Sequence, residues 1–193
     1  DQASKDLADE RGPCPDAADY GYNERFSNKT AIAPTASISI ICGGASPGVE
    51  PVAANSYTHK TLSGSFNVRN RYLVELLEKH GKNTDDVWSG ITTNQGSVSH
   101  LDFLTDLEKD VFKTAFELDQ KWIIELSGDR TPFISQAQSI NLFVPADIHK
   151  RELHKIHFDA WKKGLKSLYY CRSKSIQRAE NVNDTKATDV NAN

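Results

Sequence analysis

Two stretches of the 193-residue chain carry side chains suited to chemistry. One is Ser167-Leu168-Tyr169-Tyr170-Cys171-Arg172, where two phenols adjoin after a basic amphipathic segment. Neighbours in a strand face opposite sides, so side-by-side tyrosines rarely serve one packing surface. Read on residue type, the pair closes a buried core strand with aromatic residues on both faces. The other stretch is Pro34-Thr35-Ala36-Ser37-Ile38-Ser39, followed by Cys42-Gly43-Gly44-Ala45-Ser46-Pro47-Gly48-Val49-Glu50-Pro51. A strand ending in such a turn presents backbone N–H groups and the hydroxyls of Thr35, Ser37 and Ser39 together, and those groups bind phosphate. No lysine follows the glycines in Walker fashion and no G-x-G-x-x-G occurs, so neither familiar nucleotide fingerprint applies. On residue types alone the segment reads first as a plain turn and second as a phosphate site.

The elements that must position these stretches follow from periodicity and turn signals. A short helix opens the chain, and a loop with little regular structure follows it to Ala33. Tyr57–Val68 reads as a hairpin turning at Ser63-Gly64-Ser65. A helix over 71–80 places Tyr72, Leu73, Leu76 and Leu77 on one side and stops at Gly81, and a second covers 84–94 with Val87, Trp88 and Ile91 inward. Thr105-Asp106-Leu107-Glu108 is a capping box predicted to open the longest helix, which runs through Val111, Phe112, Trp122 and Leu126 to about Ser127. Glu117, Asp119 and Glu125 are its solvated face. Ser139–Val144 reads as a buried strand ended by Pro145. Asp147 caps a last helix that ends at Gly164 and leads into the tyrosines. His149, His154 and His157 on that helix read as a solvated face, since no facing carboxylate or thiolate accompanies them.

Composition excludes several classes. A net charge of -3, with 38% hydrophobic and 25% charged residues, suits a globular chain with no nucleic-acid partner. No apolar run approaches a membrane span and no signal peptide opens the chain, which predicts a cytoplasmic protein without a membrane partner. Cys14, Cys42 and Cys171 form no C-x-x-C pair, so neither a zinc knuckle nor a dithiol motif is supported. Cys14 and Cys42 read as small buried or half-buried side chains. The chain starts at Asp1 and holds no methionine, which predicts a trimmed, processed or separately expressed piece.

Taken together, Ala33–Ser39 and Ser46–Pro51 resemble the phosphate-binding turn of the large subunit of class I ribonucleotide reductase. Tyr57-Thr58, Leu62-Ser63-Gly64 and Gln136–Asn141 are similar to its following blocks, and Trp161–Ser173 to its end. The resemblance runs from Asp9 to Glu180 and covers only the C-terminal part of that subunit. It implies an α/β fold, the C-terminal part of a ten-stranded α/β barrel that is incomplete by itself, over residues 1–180; the Asn/Asp/Ala/Thr-rich residues 181–193, with almost no hydrophobic side chains, are expected to be a disordered tail. It implies that Thr35, Ala36, Ser37, Ile38 and Ser39 grip the diphosphate of a ribonucleoside diphosphate. Tyr169 and Tyr170 match the stacked pair that relays a radical from the small subunit to an active-site cysteine. The helix before them resembles one wall of the groove for the small subunit's C-terminal tail.

Departures qualify the resemblance. The thiyl-radical cysteine and its finger loop, the specificity-site loops and a C-terminal cysteine pair are missing from this sequence. Cys171 stands where relatives often carry an apolar residue, and no redox role attaches to it. The expected function is the C-terminal piece of a split or processed ribonucleoside-diphosphate reductase large subunit, inactive alone. Its partners are the N-terminal part of the large subunit and a radical-generating small subunit. No cofactor is expected in this chain; a metal-based radical cofactor belongs to the small subunit. The alternative is a non-catalytic regulatory or structural relic that binds a reductase.

Overall fold

In a computed structural model, residues 1–42, 46–61 and 64–173 are described, excepting the side chains of 37, 40 and 59–61. The predicted tail at 181–193 lies outside them. Helix α1 (Gln2–Arg11) is followed by α2 (Pro15–Asp19), which the loop expectation missed. Pro15 stands at the first helical position, where a missing N–H costs nothing and the fixed φ suits the helix. Helix α3 (Ala36–Ile41) forms where the turn was expected. Strands β1 (Ser56–Thr61) and β2 (Gly64–Arg69) form the predicted hairpin.

Helices α4 (Arg71–Lys79) and α5 (Asp85–Thr93) bury Leu73, Leu77, Trp88 and Ile91 against Val98, Leu101 and Leu104. Each begins at a residue whose side chain accepts a helical N–H, Asn70 from Tyr72 and Thr84 from Val87. Those caps remove orphan donors. The buried Asn55 ties this unit together. Its Nδ2 donates to the carbonyls of Gly96 and Phe112, and its Oδ1 accepts from Asn70.

The capping box is present, but the helix it opens, α6, covers only Asp106–Val111, and α7 (Gln120–Arg130) starts anew. Between them, Glu117 accepts from both the backbone N–H and the hydroxyl of Thr114 at 2.8 Å, and Ala115 N–H donates to Val52 O. These bonds turn the chain out of the helical path. Val111, Trp122 and Leu126, expected inside, are exposed. Asp119 caps α7, and Glu125 pairs with Lys163. The three carboxylates expected to be merely solvated therefore fix local structure.

Glu108 makes the box pH-sensitive. The His80 ring nitrogen at 2.9 Å, then the N–H and hydroxyl of Thr105, hold its carboxyl down at about 2 from an ordinary 4.5. A depressed folded value means that the charged form's stabilisation is fully present above 4.5 and is lost as pH falls from there through about 2. Glu108→Gln is expected to be less stable than the parent chain at pH 7. Urea melts at pH 7, 4 and 2.5 should show the two curves converging as the pH drops; a constant gap rejects the assignment.

The second packed unit is a βαβ arrangement. Strand β3 (Leu142–Val144) pairs in parallel with β4 (Cys171–Ser173), and α8 (Lys150–Lys162) makes the crossover that a parallel pair requires. Ile124 of α7, Leu142 and Ala160 of α8 form its centre, with Ile156, Leu165 and Leu168 packed around them. His149, not Asp147, caps α8, its Nδ1 accepting from Arg151 N–H. Gly164, with φ 77°, turns the chain after the helix, a conformation open to glycine without a Cβ clash. A bridge between Ile32 and Gln138 extends the parallel arrangement on the other side. Among the described residues the sheet is open, and no helix is long and apolar enough to cross a membrane.

Candidate functional site

The turn is built at the N-terminus of α3. Thr35 precedes it, and Ser39 N–H donating to Thr35 O is its first helical bond. Thr35 does not cap: its hydroxyl donates to Pro47 O at 3.0 Å. The Ser39 hydroxyl, buried, donates to Ala36 O at 2.8 Å. Both protons are thus committed to carbonyls, and the reading of the Ser37 hydroxyl lies outside the described residues. What the helix start retains is the set of first-turn N–H groups at Ala36, Ser37 and Ile38, which have no intrahelical acceptor. Ile38 is exposed beside them. Such amides suit an anionic oxygen.

The tyrosines differ from the expected buried strand end. They immediately precede β4, and Tyr169 and Tyr170 are 46% and 52% exposed. Their rings lie 4.1 Å apart between centroids at 52°, and Tyr169 OH donates to Tyr170 OH at 3.3 Å. Arg172, two residues on and so on the same face as Tyr170, stands over that ring at 5.3 Å. The hydrogen bond to Tyr170, then burial and the Tyr170 charge, push the Tyr169 phenol above its ordinary 10.0, while Arg172 opposes the shift. Tyr169 is therefore a neutral phenol at physiological pH.

One strand segment joins the two stretches. Ile140 O accepts from Tyr169 N–H and Leu142 N–H donates to Tyr170 O, each at 2.8 Å. Backbone groups of successive residues point to opposite edges of a strand. On the other edge Ser139 N–H donates to Ile32 O, and Asn141 N–H donates to the carboxylate of buried Glu50, which closes the loop after the turn. Phe143 N–H, next on that edge, donates to Gln120 Oε1 at 2.8 Å. Glu50 and Gln120 were not singled out from sequence. An acidic residue set between glycine and proline in Gly48-Val49-Glu50-Pro51 was the available signal for the first; none marked the second.

Between α7 and α8 lies a cleft of about 360 Å³ with Phe116, Ile124, Phe143, Ile148 and Ile156 among its apolar lining. His149, His154 and His157 are exposed on α8, and among the described residues no cluster of His, Cys, Asp or Glu is arranged to hold a metal ion. Cys42 is exposed, contrary to expectation, as is Cys171; Cys14 is half-buried.

Residues 2–171 match the family model described as the ribonucleotide reductase barrel domain. The chain is 52% identical over 166 residues to the ribonucleoside-diphosphate reductase large subunit of Invertebrate iridescent virus 6, covering 84% of this chain and 17% of that protein. To the large subunit of Invertebrate iridescent virus 3 it is 44% identical over 191 residues, covering 97% and 30%. The solved class Id ribonucleotide reductase alpha subunit of Actinobacillus ureae superposes with a TM-score of 0.77 at 38% identity, over 93% of this chain and 32% of that one. The chain thus spans less than a third of the length of these relatives.

Proposed function

Since the chain belongs to the ribonucleotide reductase barrel-domain family, we propose that it supplies the substrate-diphosphate turn and the radical relay of a ribonucleoside-diphosphate reductase large subunit. The N-terminal part of the large subunit, on the same or a separate polypeptide, contributes the thiyl-radical cysteine. A small subunit carrying a metal-based radical cofactor starts the relay. The observation that carries this reading is the placement of both stretches on opposite edges of residues 139–142.

The chemistry follows from the atoms. Oxidised Tyr170 is a neutral phenoxyl, having lost one electron and its hydroxyl proton. Tyr169 already points its O–H at the Tyr170 oxygen. Transfer of that proton and one electron from Tyr169 restores the Tyr170 phenol and leaves the radical on Tyr169, one step along the chain. The raised phenol pKa disfavours losing the proton first, and losing the electron first would leave a cation near Arg172, so the two particles move together. At the turn, the first amides of α3 take the diphosphate oxygens. The cleft walled by α8 receives the small subunit's C-terminal tail.

The test is to combine this chain with the N-terminal part of the large subunit, the small subunit and a ribonucleoside diphosphate, and to follow deoxyribonucleotide formation. Turnover that needs this chain supports the proposal. If the chain binds those partners yet turnover neither needs it nor responds to its tyrosines, it is a regulatory or structural relic.

A further inference from the structure

Glu50 lies nine residues past the end of α3, is only 5% exposed, and has no cation paired with it among the described residues. Removing a carboxylate from water is costly unless its oxygens are satisfied. Here they are satisfied by one residue: Asn141 gives its backbone N–H to one oxygen and its side-chain N–H to the other, the latter at 3.3 Å. The loop is folded around this carboxylate. Ser46 Oγ donates to Glu50 O at 2.9 Å, and Thr35 Oγ1 donates to Pro47 O at 3.0 Å. Gly48 approaches so closely that a Cβ there would overlap Glu50 Oε2. A continuous set of contacts therefore runs from Thr35 through Pro47 and Glu50 to Asn141 of the strand segment.

We infer that Glu50 is a positioning residue that fixes the Thr35–Ser39 turn relative to the sheet, and so sets where the diphosphate sits. Its carboxylate is engaged by Asn141, not by either tyrosine. The kinetic part of the inference rests on the proposed diphosphate role of the turn. Loss of Glu50 frees one edge of the strand while the bonds of Ile140 and Leu142 to Tyr169 and Tyr170 on the other edge remain. Substrate capture should suffer and the radical relay should not.

Asn141 supplies a discriminating variant. Its Oδ1 is buried with no hydrogen-bond partner. In Glu50→Gln the new amide retains a carbonyl for Asn141 N–H, and its NH₂ group can serve Asn141 Oδ1 once the Asn141 side-chain amide turns over, so the pin survives without charge. Glu50→Ala removes it. Gly48→Ala leaves the carboxylate in the chain but displaces it.

In the reconstituted reductase, Glu50→Ala is expected to raise KM for a ribonucleoside diphosphate about 10-fold or more with kcat within about threefold of the parent. Gly48→Ala should move KM in the same direction, and Glu50→Gln should stay within about threefold on both constants. An unchanged KM in Glu50→Ala, or a Gln variant as impaired as the Ala variant, overturns the inference. Amide hydrogen exchange on the full chain separates this from the substrate reading. Glu50→Ala and Gly48→Ala should speed exchange over 35–42 and 46–52 while α4 and α5 keep their rates. If the parent reductase shows no diphosphate turnover, the substrate reading fails by itself, and exchange alone then decides the pin: unchanged rates overturn it.

Discussion

Tyr170→Phe is expected to lower deoxyribonucleotide formation by the reconstituted reductase at least about 1000-fold, equivalent to about 4 kcal/mol in the barrier. Phenylalanine retains the ring's area and the face presented to Arg172, but it has no hydroxyl to lose a proton with the electron. It also removes the acceptor of the Tyr169 hydrogen bond. Structure and diphosphate affinity should be unchanged, which separates this variant from Glu50→Ala, where KM moves and kcat holds. Tyr57→Phe, at another exposed phenol, serves as the control and should be silent. Product formation measured against time, with substrate binding measured in parallel, checks the split. Retention of more than a tenth of parental turnover by Tyr170→Phe removes the pair from the mechanism.

The second large effect is on stability. Trp88→Ala is expected to cost about 3–5 kcal/mol, the range for truncating a large aromatic in a core. Trp88 is 2% exposed among Leu73, Leu77, Ile91, Val98, Leu101 and Leu104. Its Nε1–H donates to Asn83 Oδ1 at 2.8 Å, and Arg69 stacks on its ring at 4.9 Å. The truncation therefore opens a cavity and strips two further contacts. Trp88→Phe should cost about half as much, because most of the volume is retained. Urea unfolding reads both. A fall in midpoint with an unchanged slope is the expected signature of lost stability. A Trp88→Ala midpoint close to that of the parent contradicts the packing described.

Much of this organisation was legible in the residues, and the misses share a cause. The hairpin, α4 and α5 were readable because local signals agreed: turn residues at Ser63-Gly64-Ser65, apolar residues at helical spacing, Gly81 as a stop. The long helix predicted through 105–127 failed because Thr114-Ala115-Phe116-Glu117 repeats the Thr-x-x-Glu signature of Thr105–Glu108, and Val52, far away in sequence, takes the Ala115 N–H. Periodicity continued through the break and concealed it. The same kind of failure put a turn, closing a strand, at 34–39. Alternating Ile and Ser look extended, yet Ser39 bonds back to Ala36 O and Thr35 O and closes a helical turn. At the site, the residues drawn from the resemblance were visible because their types are unusual together. Glu50 and Gln120 were not, because each acts on a backbone N–H of a strand remote in sequence. A side chain that stands in for a missing strand partner leaves no periodic trace.

That substitution has a bearing on supply. One edge of the strand at 139–143 is closed by Ile32, Glu50 and Gln120. Strand β4 has a partner on one side only among the described residues. An unpaired edge accepts whatever extended segment arrives first. The sheet can therefore grow in one direction, past the residues that follow the tyrosine pair. Where that edge stays uncovered, copies of this chain can pair along it. Recoverable protein should therefore fall as the concentration of this chain rises during synthesis.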